Sequence, residues 1–217
     1  LTAFCGAIDR LPARVRDYPG YLVNRALTPY LLEAIQLIEE GHNKQTIDRA
    51  AEQFGMPMGP VELADQVGLD ICLHVAKSLK SGLEKPMTDI PGWLREMVEN
   101  GDTGKKSGHG FYEWKDGKAQ KDSGAESGKT GDLVELTDRL ILPMLDACVE
   151  CLREGIARDT EQVDGAMIFA TGFAPFRGGP MHYAKSRGPA EIGDRLKELA
   201  DALGPRFRPD PGWKDLR

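Results

Sequence analysis

The chain has 217 residues and is 41% hydrophobic, enough for a real core in one large or two small domains. Its formal net charge of −6 argues against a nucleic-acid surface, and no apolar run approaches membrane-spanning length. Cys5, Cys72, Cys148 and Cys151 are scattered, and Cys148-x-x-Cys151 lies inside a helical pattern with no second pair or histidine nearby. Buried thiols in a reducing compartment, rather than a zinc or redox site, are the expectation.

In chain order, residues 1–10 read as the end of a helix, and Leu11 to Asp17 alternates apolar and charged residues as a short strand would. A helix–strand pair before an otherwise helical chain looks like the last unit of an α/β domain. With Leu1 as the first residue and no signal peptide, the chain reads as a piece of a longer cytosolic protein. Pro19-Gly20 is a turn signal. Leu22, Val23, Ala26, Leu27, Tyr30, Leu31, Ala34, Ile35 and Ile38 then recur at three- and four-residue steps up to Gly41, which predicts a long helix. Asn24 and Arg25 fall on its first turn. They suit either a ligand-facing helix start or a helix-start hydrogen bond beside a solvated arginine. Pro29 should kink this helix or break off its first turn.

Asn43 is placed to cap a helix over Gln45–Gln53. Pro60 is placed to open one ending at Gly68, and further helices carry Leu69 to Leu79 and Trp93 to Val98. Gly104 to Gly110 is glycine-rich and basic, but the Walker spacing is absent. Lys105 and Lys106 could attract a phosphate; otherwise the loop is a turn feeding a hairpin, Phe111–Trp114 and Lys118–Lys121, about an Asp116-Gly117 turn. Residues 121–131 have linker composition. Helical spacing resumes at Leu133 and runs to Leu203, and Pro205 to Arg217 should be extended.

The two halves superpose as sequences. Asn24-Arg25, Pro29 and Gly41 meet Asp138-Arg139, Pro143 and Gly155 at one constant separation. That separation then lengthens slightly as Asp48, Gly55, Gly59-Pro60 and Gly68 meet Asp164, Gly172, Gly179-Pro180 and Gly188. Matched breakers are a sign of duplication. The fold expected is all-α: two similar helical units, residues 18–120 and 132–217, joined by a linker over 121–131 and packed on one core. Residues 1–17 would be the helix–strand end of an upstream domain. Both Asn24 and Asp138 could cap a helix, but only the amide suits a thioester or phosphate.

Five motifs in order carry a resemblance over nearly the whole chain: Asp17-Tyr18-Pro19-Gly20-Tyr21-Leu22-Val23-Asn24-Arg25, Phe54-Gly55-Met56-Pro57-Met58-Gly59-Pro60, Val67-Gly68-Leu69-Asp70, Gly104-Lys105-Lys106-Ser107-Gly108-His109-Gly110-Phe111-Tyr112 and Gly172-Phe173-Ala174-Pro175-Phe176-Arg177-Gly178-Gly179. They resemble the C-terminal helical region of 3-hydroxyacyl-CoA dehydrogenases, in particular the duplicated form in multifunctional fatty-acid oxidation proteins.

The resemblance implies oxidation of L-3-hydroxyacyl-CoA to 3-ketoacyl-CoA in fatty-acid β-oxidation. NAD and the general-base histidine would then belong to a Rossmann domain upstream. The chain itself has no G-x-G-x-x-G between strand and helix, and His42, His74, His109 and His182 lie outside the family's catalytic motif. By itself the chain is therefore expected to be inactive. Asn24 falls where the family asparagine contacts substrate beside that histidine. Phe169 falls where a relative has a substrate-binding tyrosine, and its alternative is plain core packing. Neither a cofactor site nor a metal site is expected here. The implied partners are the acyl-CoA substrate, the upstream domain, and a second copy or a thiolase subunit in the cytoplasm; an upstream enoyl-CoA hydratase stays open. The rival reading is a non-catalytic helical module for dimerisation or subunit docking, with Asn24 and Asp138 serving only as caps.

Overall fold

Two long apolar helices form the centre of the molecule. In the computed structural model, which describes residues 2–83, 85–121 and 130–216, α2 (Val23–Glu39) and α7 (Thr130–Arg153) make the most extensive helix pairing. Around α2 follow α3 (Lys44–Phe54), α4 (Pro60–Val67) and α5 (Leu69–Gly82). Around α7 follow α8 (Thr160–Thr171), α9 (Pro180–Arg187) and α10 (Pro189–Leu203). The units interlock: α3 packs on α7 and α8 packs on α2. One hydrophobic cluster therefore runs from Leu22 and Tyr30 through Leu140 and Leu145 to Phe207.

The matched breakers make matched joints. Gly55 (φ 118°) and Gly172 (φ 69°) end α3 and α8 in the left-handed conformation. Asp48 Oδ1 accepts the Val61 N–H at 2.8 Å, and Asp164 Oδ1 accepts the Met181 N–H at 2.6 Å. Each carboxylate thus satisfies an orphan donor at the start of the next helix. A Cβ at Gly59 would overlap Asp48, and one at Gly179 would overlap Asp164. Glycine precedes proline in both copies because the carboxylate fills the space a side chain would need.

The first unit also holds α6 (Gly92–Glu99) and a two-stranded antiparallel hairpin, β1 (Glu113–Lys115) with β2 (Lys118–Gln120). Its register pairs Trp114 with Ala119. Asp116 (φ 51°) and Gly117 (φ 74°) form the tight turn expected from Asp-Gly.

Several expectations change. Thr2–Ala7 is helical (α1), but residues 11–17 form no strand. Among the described residues no neighbouring strand offers a ladder, and this segment is tied to the body by the Arg16 N–H bonded to Ile156 O at 3.0 Å and by Gln162 Nε2–H donated to Arg14 O. α2 continues through Pro29 and α7 through Pro143; packing of both faces outweighs the one backbone bond each proline removes. The tail is not extended. It makes two 3-10 turns, Pro205–Phe207 and Pro211–Lys214, held by fully buried Asp146, which accepts the Asp210 N–H (2.7 Å) and Trp213 Nε1–H (2.6 Å). The expected linker falls largely on residues 122–129, outside the described residues.

Candidate functional site

The start of α2 separates its two polar residues. Gly20 (φ 74°) turns the chain, with Tyr21 N–H bonded to Tyr18 O. A Cβ at Gly20 would press into Leu79, so the turn packs directly on α5. The N-cap is Leu22, with no side-chain capping bond. Asn24 follows inside the first turn, exposed, and its amide makes no hydrogen bond among the described residues. It is not a cap. Neither is Asp138, which lies inside α7 and pairs with Arg187 Nη1 (2.5 Å) and Arg195 Nε (3.2 Å). The capping role on which the docking-module reading relied is absent at both positions.

Arg25 is not solvated either. Its side chain is 2% exposed and reaches across to the second unit, to Glu150 at 3.0 Å and Glu154 at 2.7 Å, with the Tyr18 ring 4.8 Å away. Burial disfavours its charge, but the bond to Glu154 and the field of Glu150 outweigh that and raise its pKa. Burial lifts the Glu150 carboxyl above its ordinary range despite Arg25. The second unit mirrors the pair: Arg139 holds Glu33 (2.5 Å) and Glu40 (2.6 Å). This crossed ion network fixes the start of α2 and leaves Asn24 facing outward.

Two recesses meet at Asn24. One is a shallow hollow formed with Ala13, Tyr21, Val23 and Ala166. Through Ala13, Val23 and Ala166 it opens into a wide cleft lined by residues 9–14 and by α8, including Phe169. Phe169 is 77% exposed, so core packing is excluded. Asn24 and Phe169 line adjoining parts of one surface. The other recess is an apolar groove between α2 and the α4–α5 pair, walled by Leu27, Leu31, Val67, Ile71 and Val75.

The four histidines line neither recess. The glycine-rich loop is explained by Asp65, which is fully buried and accepts the N–H groups of Phe111 (2.8 Å) and Tyr112 (2.8 Å) and the Trp114 Nε1–H (3.0 Å). A Cβ at Gly104 or Gly110 would collide with it. Lys105 stacks over Trp114 and Lys106 pairs with Asp70 at 2.6 Å, so the loop wraps a carboxylate instead of cradling a phosphate.

The cysteines are free. Burial pushes the Cys72 and Cys151 thiols up to about 12 and Cys148 well above its ordinary value, which disfavours the thiolate. Among the described residues no group of three or more His, Cys, Asp and Glu is placed to hold a metal. The sheet among the described residues is a two-stranded hairpin without a crossover helix. No helix among them is long and apolar enough to cross a membrane.

Sequence reasoning missed Glu150, Glu154, Asp65 and Asp146. A usable signal was present for one of them: Glu40 and Glu154 stand at the same separation as Arg25 and Arg139.

Comparison with known proteins gives three kinds of match. Residues 20–114 match the family model described as the C-terminal domain of 3-hydroxyacyl-CoA dehydrogenase. Fatty acid oxidation complex subunit alpha of Shewanella baltica is 34% identical over 95% of this chain, and that of Idiomarina loihiensis is 35% identical over the same share. The chain spans only about 30% of the length of either relative. The fold matches 3-hydroxybutyryl-CoA dehydrogenase from Escherichia coli, with a TM-score of 0.80 at 21% identity over 98% of this chain and 62% of that one. It also matches the dehydrogenase part of multifunctional enzyme 1 from C. elegans, with a TM-score of 0.71 at 22% identity over 100% and 52%.

Proposed function

The chain carries the C-terminal domain of the 3-hydroxyacyl-CoA dehydrogenase family, and from this premise we propose that it forms the substrate-side wall of such an enzyme acting in fatty-acid oxidation. The observation that carries the proposal is Asn24: an amide on the first turn of a rigidly held helix, without a hydrogen-bond partner among the described residues, at the junction of two recesses. An amide hydrogen-bonds a substrate oxygen without competing for the proton that a general base must take, and it holds that oxygen in place for the base. Phe169 supplies an apolar flank to the same surface.

The proposal divides the chain into residues 1–17, closing a preceding domain, and two helical units, 18–120 and 132–217. NAD and the general base belong to the rest of the parent protein. The exposed Phe4, Ile8 and Leu11 on the 1–17 segment support a covered position for it there. The same proposal places the parent in the cytoplasm, with a second copy or a thiolase subunit as its partner.

The test is kcat/KM for acetoacetyl-CoA reduction by the full-length parent, with and without Asn24→Ala. A loss on the order of a hundredfold in a stably folded variant is expected. An unchanged rate would remove Asn24 from the site.

A further inference from the structure

The duplication supplies an internal control for the two buried arginines. Arg25 and Arg139 stand at equivalent points of α2 and α7. Arg139 has every guanidinium nitrogen engaged: Nε and Nη2 bond Glu33 at 2.8 and 2.5 Å, and Nη1 bonds Glu40 at 2.6 Å. In the other copy the counterpart of Glu40 is Glu154, and the counterpart of Glu33 is Ala147. Glu154 is in place, 2.7 Å from Arg25 Nη1. Ala147 carries no carboxylate. Glu150, nearly one turn further along α7, takes Arg25 Nη2 at 3.0 Å. Arg25 Nε is left buried, with no hydrogen-bond partner among the described residues. A buried donor without an acceptor carries its full desolvation cost.

Where the other copy has a carboxylate, this one has a cavity. Arg25 and Ala147 both line a space of about 550 Å³ in the seam between the two units, and the equivalent prolines Pro29 and Pro143 share its wall. Leu32, Leu83, Pro86 and Met87 make much of the rest apolar. The charged side chains lining it, among the described residues, are Arg25, Lys85 and Arg206 against Glu33 and Glu150, an excess of one cation. Lys85 also pairs with Asp146, and Arg25 with Glu154, from beyond the wall. The excess therefore suits one negative charge at most. Pro86 is exposed and Lys85 and Met87 are half-buried, so the cavity reaches the surface beside them.

We propose that this cavity binds a small monocarboxylate with an apolar body, its carboxylate accepting from Arg25 Nε as Glu33 accepts from Arg139 Nε in the other copy. The duplication identifies the class, because it shows which group this arginine position takes at Nε. The apolar wall requires an apolar body, and polyanions such as phosphates bring more charge than the wall balances. A ligand held there bridges α7 to the first turn of α2. The inference does not rest on the role proposed for Asn24.

The test is a ligand-observed NMR titration of the full-length parent with benzoate, and with benzamide as an uncharged probe of the same shape. Benzoate should bind with a Kd on the order of a millimolar, and benzamide about tenfold more weakly or worse. Ala147→Glu restores the carboxylate that the other copy carries, and should weaken benzoate about tenfold or more. Ala147→Leu fills the same space without an acceptor and should do the same, which keeps the test decisive should the first variant fail to fold. Benzoate binding left unchanged by either folded variant would place the ligand elsewhere in the parent and overturn the site. Absence of benzoate binding, or equal binding of benzamide, would overturn the carboxylate assignment and leave Arg25 Nε to solvent.

Discussion

The helices α2–α5 and α7–α10 are one design used twice, and their differences fall in a narrow band. The joints are the same: a carboxylate on α3 or α8 receives the next helix, and left-handed glycines end it. The long helices exchange the same arginine–glutamate pair, Arg25 with Glu154 and Arg139 with Glu40. What changes is the surface around Asn24 and Asp138, open and uncharged in one unit and closed by ions in the other. A duplicated unit keeps what holds the core. The equivalent surface of the second copy is taken up by stabilising contacts, with Arg187 and Arg195 both holding Asp138.

The crossed arginines give the strongest way to break that symmetry. Arg25→Met strands buried Glu150 and leaves the half-buried Glu154 to Arg153 at 3.2 Å, and loss of one partner of a buried pair costs about 3 kcal/mol or more. Arg139→Met should cost less, about 1–2 kcal/mol, because Glu33 keeps Arg206 at 2.9 Å and Glu40 is nearly a third exposed. Urea unfolding of both variants tests the ordering. Equal losses would mean that Arg206 does not share Glu33 and that the pairs are truly equivalent.

The joints can be tested by pH. Asp48 is 1% exposed, and burial, against the bond from Tyr112 Oη–H, pushes its pKa up from 3.8 to about 6. A folded-state value above the unfolded one means that the native protein binds the proton more tightly. Asp48 therefore contributes most below pH 4, and that contribution is lost as pH rises through 6. Relative to Asp48→Asn, the wild type should lose at most about 3 kcal/mol of unfolding free energy between pH 4 and pH 7. Denaturant midpoints at a series of pH values measure it; a difference flat with pH would show that Asp48 titrates normally. Burial moves Asp164, its counterpart, in the same direction.

The elements that could be read in the sequence are those governed by local chemistry. Asn43 bonds the Gln45 N–H at 2.9 Å as a cap must, Pro60 opens α4, and Asp116-Gly117 turns the hairpin. Each signal lies within a few residues of its effect. What stayed hidden depends on distant partners. Arg25 looks solvated until Glu150 and Glu154 arrive from the other unit. The Gly104–Gly110 loop looks like a phosphate cradle until Asp65, nearly forty residues earlier, fills it. The tail looks extended until Asp146 draws it in. Residues 11–17 have a strand's alternation but no strand among the described residues to pair with. At the site, the exposure of Asn24 follows from Leu22 taking the cap position, a choice the residue types do not announce.

The smallest expected effect sharpens the comparison most. Asp138→Asn makes the second copy chemically like the first at that position. The amide keeps an acceptor for Arg187 or Arg195 but loses the charge, and both arginines are partly exposed. The cost in unfolding free energy should be about 1 kcal/mol. In the full-length parent kcat/KM should not change, because Arg187, Glu191 and Arg195 still close the surface around it. Asn24→Ala should do the reverse: it breaks no hydrogen bond among the described residues, so stability should hold while the rate falls. Two residues at equivalent points of one repeat would then divide stability from activity between them. A rate loss in Asp138→Asn would show instead that the second unit acts on the site, by way of the crossed arginines that fix the start of α2.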